Sequence, residues 1–308
     1  MKDLPSIAIM TCWYGDYPWY FPYFVKSCKY NPSIDFIIVT DNTNVIPEKP
    51  DNIKVVYKTL EDFKINASQK LGFEVAINKP YKLCDFKPAY RFLFPEILGS
   101  YDFWGHGDID MVYGDIRGFM TNELLADFDI LNSRVDFITG TFCLYRNIEK
   151  LNTLFMQSRD YKHVFTNEEY FSFDECSFLF NDLALGNSIL DYPDSIQSMT
   201  YLAVKGELEG NFKVFFDHII AQGVSDEIKW QNGLILFKNQ LECMFYDMIE
   251  YKVKCENKKA VYPIPDVFYF NIKGINKNSF FKLLYSKILD NWEKLKDFIQ
   301  KKEPQTAE

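Results

Sequence analysis

Two aspartates separated by one residue, Asp108 and Asp110, stand in the run Tyr101–Asp115 (YDFWGHGDIDMVYGD), with aromatic and apolar residues leading into them. In extended chain, residues two apart share a face. Like charges held side by side repel, and the arrangement is relieved by a cation between them or by solvation. Hard carboxylate oxygens suit Mg²⁺ or Mn²⁺, which bind through one or two carboxylates plus the phosphates of a substrate. The pair points to an enzyme that handles a diphosphate, with Asp108 and Asp110 as metal ligands. Glycines at 105 and 107 permit close backbone approach to the pair. Asp115 reads as the cap of the turn that follows rather than as a further ligand.

The elements that must deliver these carboxylates alternate. Ser6–Cys12, Asp35–Thr40 and Ile53–Tyr57 read as buried strands, and Trp19–Tyr30 as a helix shaped at its entry by Pro18 and Pro22 and stopped by Asn31-Pro32. Strands alternating with helices imply a mostly parallel sheet covered on both faces, with ligands at the carboxyl ends of the strands. That places Thr11–Tyr14 and Asp41-Asn42 on the ligand rim. A helix is expected at Lys87–Leu98, with Asp85 as its N-cap, Pro88 in the first turn and Pro95 disturbing the second half. The Asp102–Gly107 strand then carries the aspartate pair to the same rim. Asp129–Asn132, Phe137–Arg146, Phe212–Asp217 and Leu234–Phe237 read as further strands, and Thr153–Arg159 as weakly helical. The segment Phe171–Phe180 holds a second acidic pair, Asp174-Glu175. No internal repeat or low-complexity linker interrupts the chain, so one domain over residues 1–275 is the simplest organisation.

Composition narrows the function classes. The 308 residues have apolar content for a large core, and a net charge of −9 with a pI near 5.0 argues against nucleic-acid binding. Seven scattered cysteines without a Cys-x-x-Cys, and three histidines, argue against zinc and for a reducing compartment. The N-terminal apolar run is interrupted by Gly, Asp and Pro, which fits neither a signal peptide nor a span, so a cytoplasmic protein is expected. The 18% aromatic content fits sugar-binding clefts, and equally an AT-rich genome that enriches Phe, Tyr, Lys, Asn and Ile together. In Ser279–Lys302, apolar residues recur at helical spacing among lysines. The amphipathic helix expected in residues 276–308 either packs on protein or touches the inner face of an anionic membrane.

An Asp-x-Asp serves two enzyme classes. In haloacid-dehalogenase-type phosphatases the first aspartate is a nucleophile placed directly after the first strand. In sugar transfer a metal neutralises a departing diphosphate, and a nucleotide-binding α/β half precedes the motif. Three strand candidates precede Asp108, which favours sugar transfer. A non-catalytic carbohydrate-binding protein is the third reading.

The segments WYGDYPWYFPYFVKSCKYNPSIDFIIVTDN, YKLCDFKPAYRFLFPEIL and YDFWGHGDIDMVYGDI resemble a family of small bacterial glycosyltransferases of the GT-A fold, encoded with capsule, lipopolysaccharide or exopolysaccharide genes. The resemblance covers Ile7–Arg146, and more loosely Phe173–Glu175 and Trp230–Lys252. It implies a GT-A-type mostly parallel central sheet with helices on both faces, and transfer of a hexose from a nucleotide diphosphate sugar, UDP-linked. The implied acceptor is a growing surface polysaccharide or lipid-linked glycan, with Mn²⁺ or Mg²⁺ at Asp108 and Asp110. By the same resemblance, Thr11, Trp13 and Tyr14 cradle the nucleobase and ribose, and Asp41 closes that pocket. Lys82, Asp85 and Lys87 contact the donor, unless the lysines are solvated. His106 supports Asp108, or is a packed strand histidine. Asp174 or Glu175 is the general base, ordinary N-capping by Asp174 being the competing reading. A third metal ligand is expected near the C-terminus, where Asp247 replaces the customary histidine or His218 supplies the group.

Overall fold

The computed structural model describes residues 4–217, 220–223, 228–260 and 262–277. In chain order its strands are β1 (Ile7–Cys12), β2 (Ile34–Thr40), β3 (Ile53–Tyr57), β4 (Phe103–Gly107), β5 (Met111–Tyr113), β6 (Ile130–Asn132), β7 (Phe142–Arg146) and β8 (Val214–Phe216). Then follow β9 (Ile220–Gln222), β10 (Ile228–Gln231), β11 (Leu234–Phe237), β12 (Leu241–Cys243), β13 (Phe245–Asp247), β14 (Val267–Asn271) and β15 (Gly274–Asn276). The central sheet has seven strands in the order β3-β2-β1-β4-β7-β6-β8. Six point the same way. Only β7 is reversed, antiparallel to β4 and to β6. This is an α/β fold with a large, mostly parallel central sheet.

Strand side chains alternate between faces, and the sheet separates two cores accordingly. On one side Ile7, Ile9, Phe36, Ile38 and Phe142 pack against α1 (Phe21–Lys29), and beyond it against a five-stranded antiparallel sheet, β12-β11-β10-β14-β15. On the other, Ala8, Met10, Ile37, Val39 and Trp104 pack against α2 (Leu60–Leu71) and the helical segments of 80–98 and 149–208. Because both faces are covered, β1 and the Phe36–Val39 stretch of β2 read as apolar runs, and every residue of β4 is buried although it includes two glycines and His106. A third sheet, β5-β13-β9, ties the turn after β4 to the last third of the chain.

Helix ends follow local chemistry. Pro22 sits in the first turn of α1, where its missing N–H costs nothing. In α2 a capping box joins Thr59 and Asp62, and Gly72 ends the helix at φ +77°.

Three expectations change. Residues Pro80–Ala89 form a 3₁₀ helix followed by short turns at Tyr90–Leu93 and Pro95–Leu98, since Pro88 and Pro95 withhold helical N–H donors. Asp85 therefore caps no helix. The strand expected from Phe137 begins at Phe142, because backbone N–H groups of 138–141 bond to side chains instead, among them Thr139 to Asn132 and Gly140 to Glu175. The expected helix from Ser279 lies outside the described residues. Among those described, no helix is long and apolar enough to cross a membrane, and none of the seven cysteines is in a disulfide.

Candidate functional site

The rim over the carboxyl ends of β1 and β4 is fastened by side chains that face backbone. Thr11 Oγ1 donates to Gly107 O at 2.7 Å, joining the two strand ends. The loop after β1 is closed by its neighbour: Gly15 N donates to Asp41 Oδ1 at 2.8 Å, and Asn42 Nδ2 donates to Gly15 O at 3.0 Å. A cavity of about 370 Å³ opens at this rim. Thr11, Trp13, Tyr14, Lys87, Asp108, Asp110, Asp174 and Glu175 all line it. Asp41, Lys82, Asp85, His106 and Asp247 do not.

Asp108 and Asp110 share the cavity for a reason other than strand alternation. They lie in the turn between β4 and β5. Each faces its own lysine: Lys87 Nζ is 2.7 Å from Asp108 Oδ1, and Lys252 Nζ is 2.5 Å from Asp110 Oδ2. Lys252 rides on the helical turn Tyr251–Lys254, so the opposite wall comes from the far end of the chain.

Lys87 is central. Its ammonium also donates to Gly140 O at 2.8 Å and lies 3.7 Å from Asp174 Oδ2. Burial opposes its charge, yet Asp108 and Asp174 hold it well above the ordinary lysine value. Burial pushes the Asp174 carboxyl well up and that of Glu175 up, with Lys87 opposing both shifts. Glu175 Oε1 accepts from Gly140 N at 2.9 Å. The Tyr170 hydroxyl stands between the carboxylates, 3.2 Å from Asp174 Oδ1 and 3.3 Å from Glu175 Oε2. A Cβ at Gly140 would overlap the Asp174 carboxylate, so any larger residue there has to displace that side chain.

Lys82 and Asp85 are neither solvated nor in the cavity. Lys82 Nζ donates to Asp85 Oδ2 at 2.8 Å and to the carbonyls of Val164 and Glu169, at 2.7 and 2.5 Å. Asp85 accepts from the N–H groups of Phe171 and Phe173, at 3.0 and 2.9 Å. The pair braces the backbone that enters Asp174-Glu175. His106 is buried in β4, with Nε2 3.2 Å from Thr139 O, and desolvation holds it neutral with a pKa near about 3. It packs under the rim as a strand histidine.

Asp247 ends β13, whose register sets it opposite Met111, next to Asp110. Its oxygens accept from Gln222 Nε2 at 2.7 Å and Ile249 N at 2.8 Å, and burial, with Asp110 nearby, raises its pKa to about 7. His218 lies outside the described residues. Among those described, no three His, Cys, Asp or Glu side chains are grouped to hold a metal. The donor set suits a sparser site. Asp108 and Asp110 carry hard carboxylate oxygens, the kind that Mg²⁺ and Mn²⁺ accept in pairs completed by phosphate oxygens and water.

Sequence reasoning missed Lys252, Ile249, Tyr81, Tyr170 and Gly140 as cavity residues. The available signals were slight: Tyr170 precedes the acidic pair by four positions, and Gly140 interrupts an apolar run.

Comparison with known proteins gives three findings. A model of a family of unknown function, DUF6625, matches residues 9–201. No curated protein matches the chain. Among solved structures, the galactosyltransferase LgtC in complex with donor and acceptor sugar analogues matches at 12% identity and a TM-score of 0.33, over 70% of this chain and 75% of that one.

Proposed function

We propose, for a chain that belongs to the DUF6625 family of unknown function, that its cavity transfers a glycosyl group from a nucleotide diphosphate sugar to a hydroxyl of a glycan. The observation that carries the reading is the lysine–carboxylate pair on each wall, Lys87–Asp108 and Lys252–Asp110, at one rim with Trp13 and Tyr14. Each ammonium is neutralised by its aspartate as the pairs stand, and a divalent cation taken up by Asp108 and Asp110 would free Lys87 and Lys252 for the oxygens of a diphosphate. The aromatic residues following β1 supply an apolar wall for a base, in keeping with ligand binding at strand carboxyl ends. Asp108 and Asp110 would hold Mg²⁺ or Mn²⁺, which when bound neutralises the leaving diphosphate as a Lewis acid.

In this reading the bond from the anomeric carbon to the diphosphate oxygen breaks, and one to the acceptor oxygen forms. The acceptor's proton passes to the Asp174–Glu175 pair. A carboxyl with a raised pKa is the stronger base once ionised, and it releases the proton to solvent afterwards. The donor we infer is UDP-linked hexose, and the acceptor a surface polysaccharide or lipid-linked glycan.

A thermal-shift screen against UDP, GDP, CDP and ADP, with and without Mn²⁺, tests the reading. Binding to the folded state adds about 2.7 kcal/mol at roughly 100 times Kd. A rise of a few degrees with one nucleotide, dependent on Mn²⁺ and lost in Asp110→Asn, is expected. No response to any nucleotide, together with turnover of p-nitrophenyl phosphate, would overturn it in favour of a phosphatase.

A further inference from the structure

Beside the acidic pair stands a cluster of three aromatic rings, two of them largely exposed. Tyr81 is 66% exposed and Phe178 is 56% exposed. Tyr170 lies between them, its centroid 4.9 Å from Tyr81 and 5.5 Å from Phe178, with interplanar angles of 72° and 88°. Tyr81 and Tyr170 line the cavity, so the cluster continues it outward. Phe178 sits at φ +64°, in a left-handed conformation that a bulky side chain rarely adopts, and Ser177 before it is at φ +54°. The ring touches Tyr170 and Phe180 yet stays more than half exposed, a small return in burial for a strained backbone, and such outliers gather at ligand contacts.

Several details select the occupant. An aromatic face carries negative quadrupole charge, which attracts the weakly positive C–H groups on one face of a pyranose. Hydroxyls at the edge of that ring need acceptors, and Asp174, Glu175 and the Tyr170 oxygen stand beside the rings. An apolar face with a hydroxylated edge is the signature of a carbohydrate. We propose that Tyr81, Tyr170 and Phe178 form a stacking subsite for a pyranose of the acceptor glycan. It rests on the glycosyl-transfer reading and gives that reading its acceptor side.

The test is saturation-transfer NMR of the full chain with lactose, maltose, cellobiose and chitobiose. At least one sugar is expected to bind, and Tyr81→Ala and Phe178→Ala each to weaken it by roughly fivefold or more. Tyr81→Phe, which keeps the ring, is expected to retain binding. Both alanine variants remove rings that are more than half exposed, so melting curves should stay near that of the unmodified protein. A drop in melting temperature with sugar binding intact would assign the rings a structural role and overturn the proposal. Absence of binding by all four sugars overturns it too. The nucleotide screen on the unmodified protein separates the two claims: nucleotide binding without sugar binding removes the subsite alone. Sugar binding without nucleotide binding overturns its role as an acceptor site.

Discussion

Lys87 and Asp108 form a 2.7 Å ion pair in which the lysine side chain is 6% exposed and the carboxylate 32%. The lysine comes from the 3₁₀ segment and the aspartate from the turn after β4, and the same ammonium reaches the Gly140 carbonyl and approaches Asp174. One cation thus joins three segments and faces two carboxylates.

Replacing that cation by an isosteric apolar chain, Lys87→Met, leaves the carboxylates uncompensated and is expected to cost about 3–5 kcal/mol at neutral pH. The dependence on pH has a definite sign. Asp174 and Glu175 are raised even with Lys87 present, so the folded state keeps protons that the unfolded chain releases. Stability therefore falls as pH rises through and above the ordinary carboxylate range. Without Lys87 this fall steepens. Thermal melts should show a larger deficit at about pH 8 than at about pH 5, and equal deficits would refute the coupling.

Gly140→Ala introduces a Cβ that overlaps the Asp174 carboxylate and comes within 3.3 Å of both Lys87 Nζ and Glu175 Oε1. Overpacking of this kind costs about 1–3 kcal/mol. The variant is expected to fold with a lowered melting temperature and to lose its metal-dependent nucleotide response. A crystal structure of the variant with Asp174 unmoved would contradict the clash.

The brace under the acidic pair is open to a double-variant test. Asp85→Ala strands the Lys82 ammonium and two backbone N–H groups, at an expected cost of about 3–5 kcal/mol. Lys82→Met combined with Asp85→Asn removes both charges and keeps one oxygen to accept from Phe173 N. Urea denaturation should find the double variant the more stable by about 1 kcal/mol or more. If it is the less stable, the Lys82 ammonium holds the loop through the Val164 and Glu169 carbonyls without its aspartate.

Asp247 has its pKa raised to about 7 by burial first, with Asp110 adding to it. A raised carboxyl contributes stability below the unfolded value and loses it as pH climbs toward 7. Asp247→Asn removes that ionisation, and Gln222 accommodates the amide by flipping its own. With chelator present, the variant should melt higher than the parent at about pH 8, by on the order of 2 kcal/mol, and no higher at about pH 4. A lower melting temperature at both would indicate that the carboxylate makes a contact the amide cannot replace.

Much of the fold and part of the site were legible before any coordinates. The runs of β1 and β2 stand out because burial on both faces leaves them almost wholly apolar, Asn31-Pro32 and Asp41-Asn42 punctuate them, and β3 at the sheet edge is legible from its β-branched residues despite Lys54. The two acidic pairs are local motifs, and both line the cavity. By contrast α2 buries only Phe63 and Ala67, so its apolar stripe is too thin to read, despite a full capping box. Lys82 reads from sequence as a donor contact or a solvated lysine, because the carbonyls that receive it lie more than eighty positions away. Lys252 meets Asp110 across 142 positions, through a sheet of three-residue strands that carry no periodic signal. Contacts of that range are made by topology, which spacing along the chain does not encode.

The reversal of β7 has an outcome for the backbone itself. In a wholly parallel sheet every loop at one rim leaves a strand; here residues 139–141 enter one at that rim, beside the loop that leaves β4. The entering loop meets the departing one with main-chain groups of both kinds. Gly140 N–H donates to Glu175, Gly140 C=O receives Lys87, and Thr141 C=O receives Asp108 N at 3.3 Å. A short stretch of main chain is therefore the hub of the rim. Shifting it by one residue, as a single insertion between Asn132 and Phe142 would, would unseat an acid, a base and the aspartate turn together, with every one of their side chains still in the sequence.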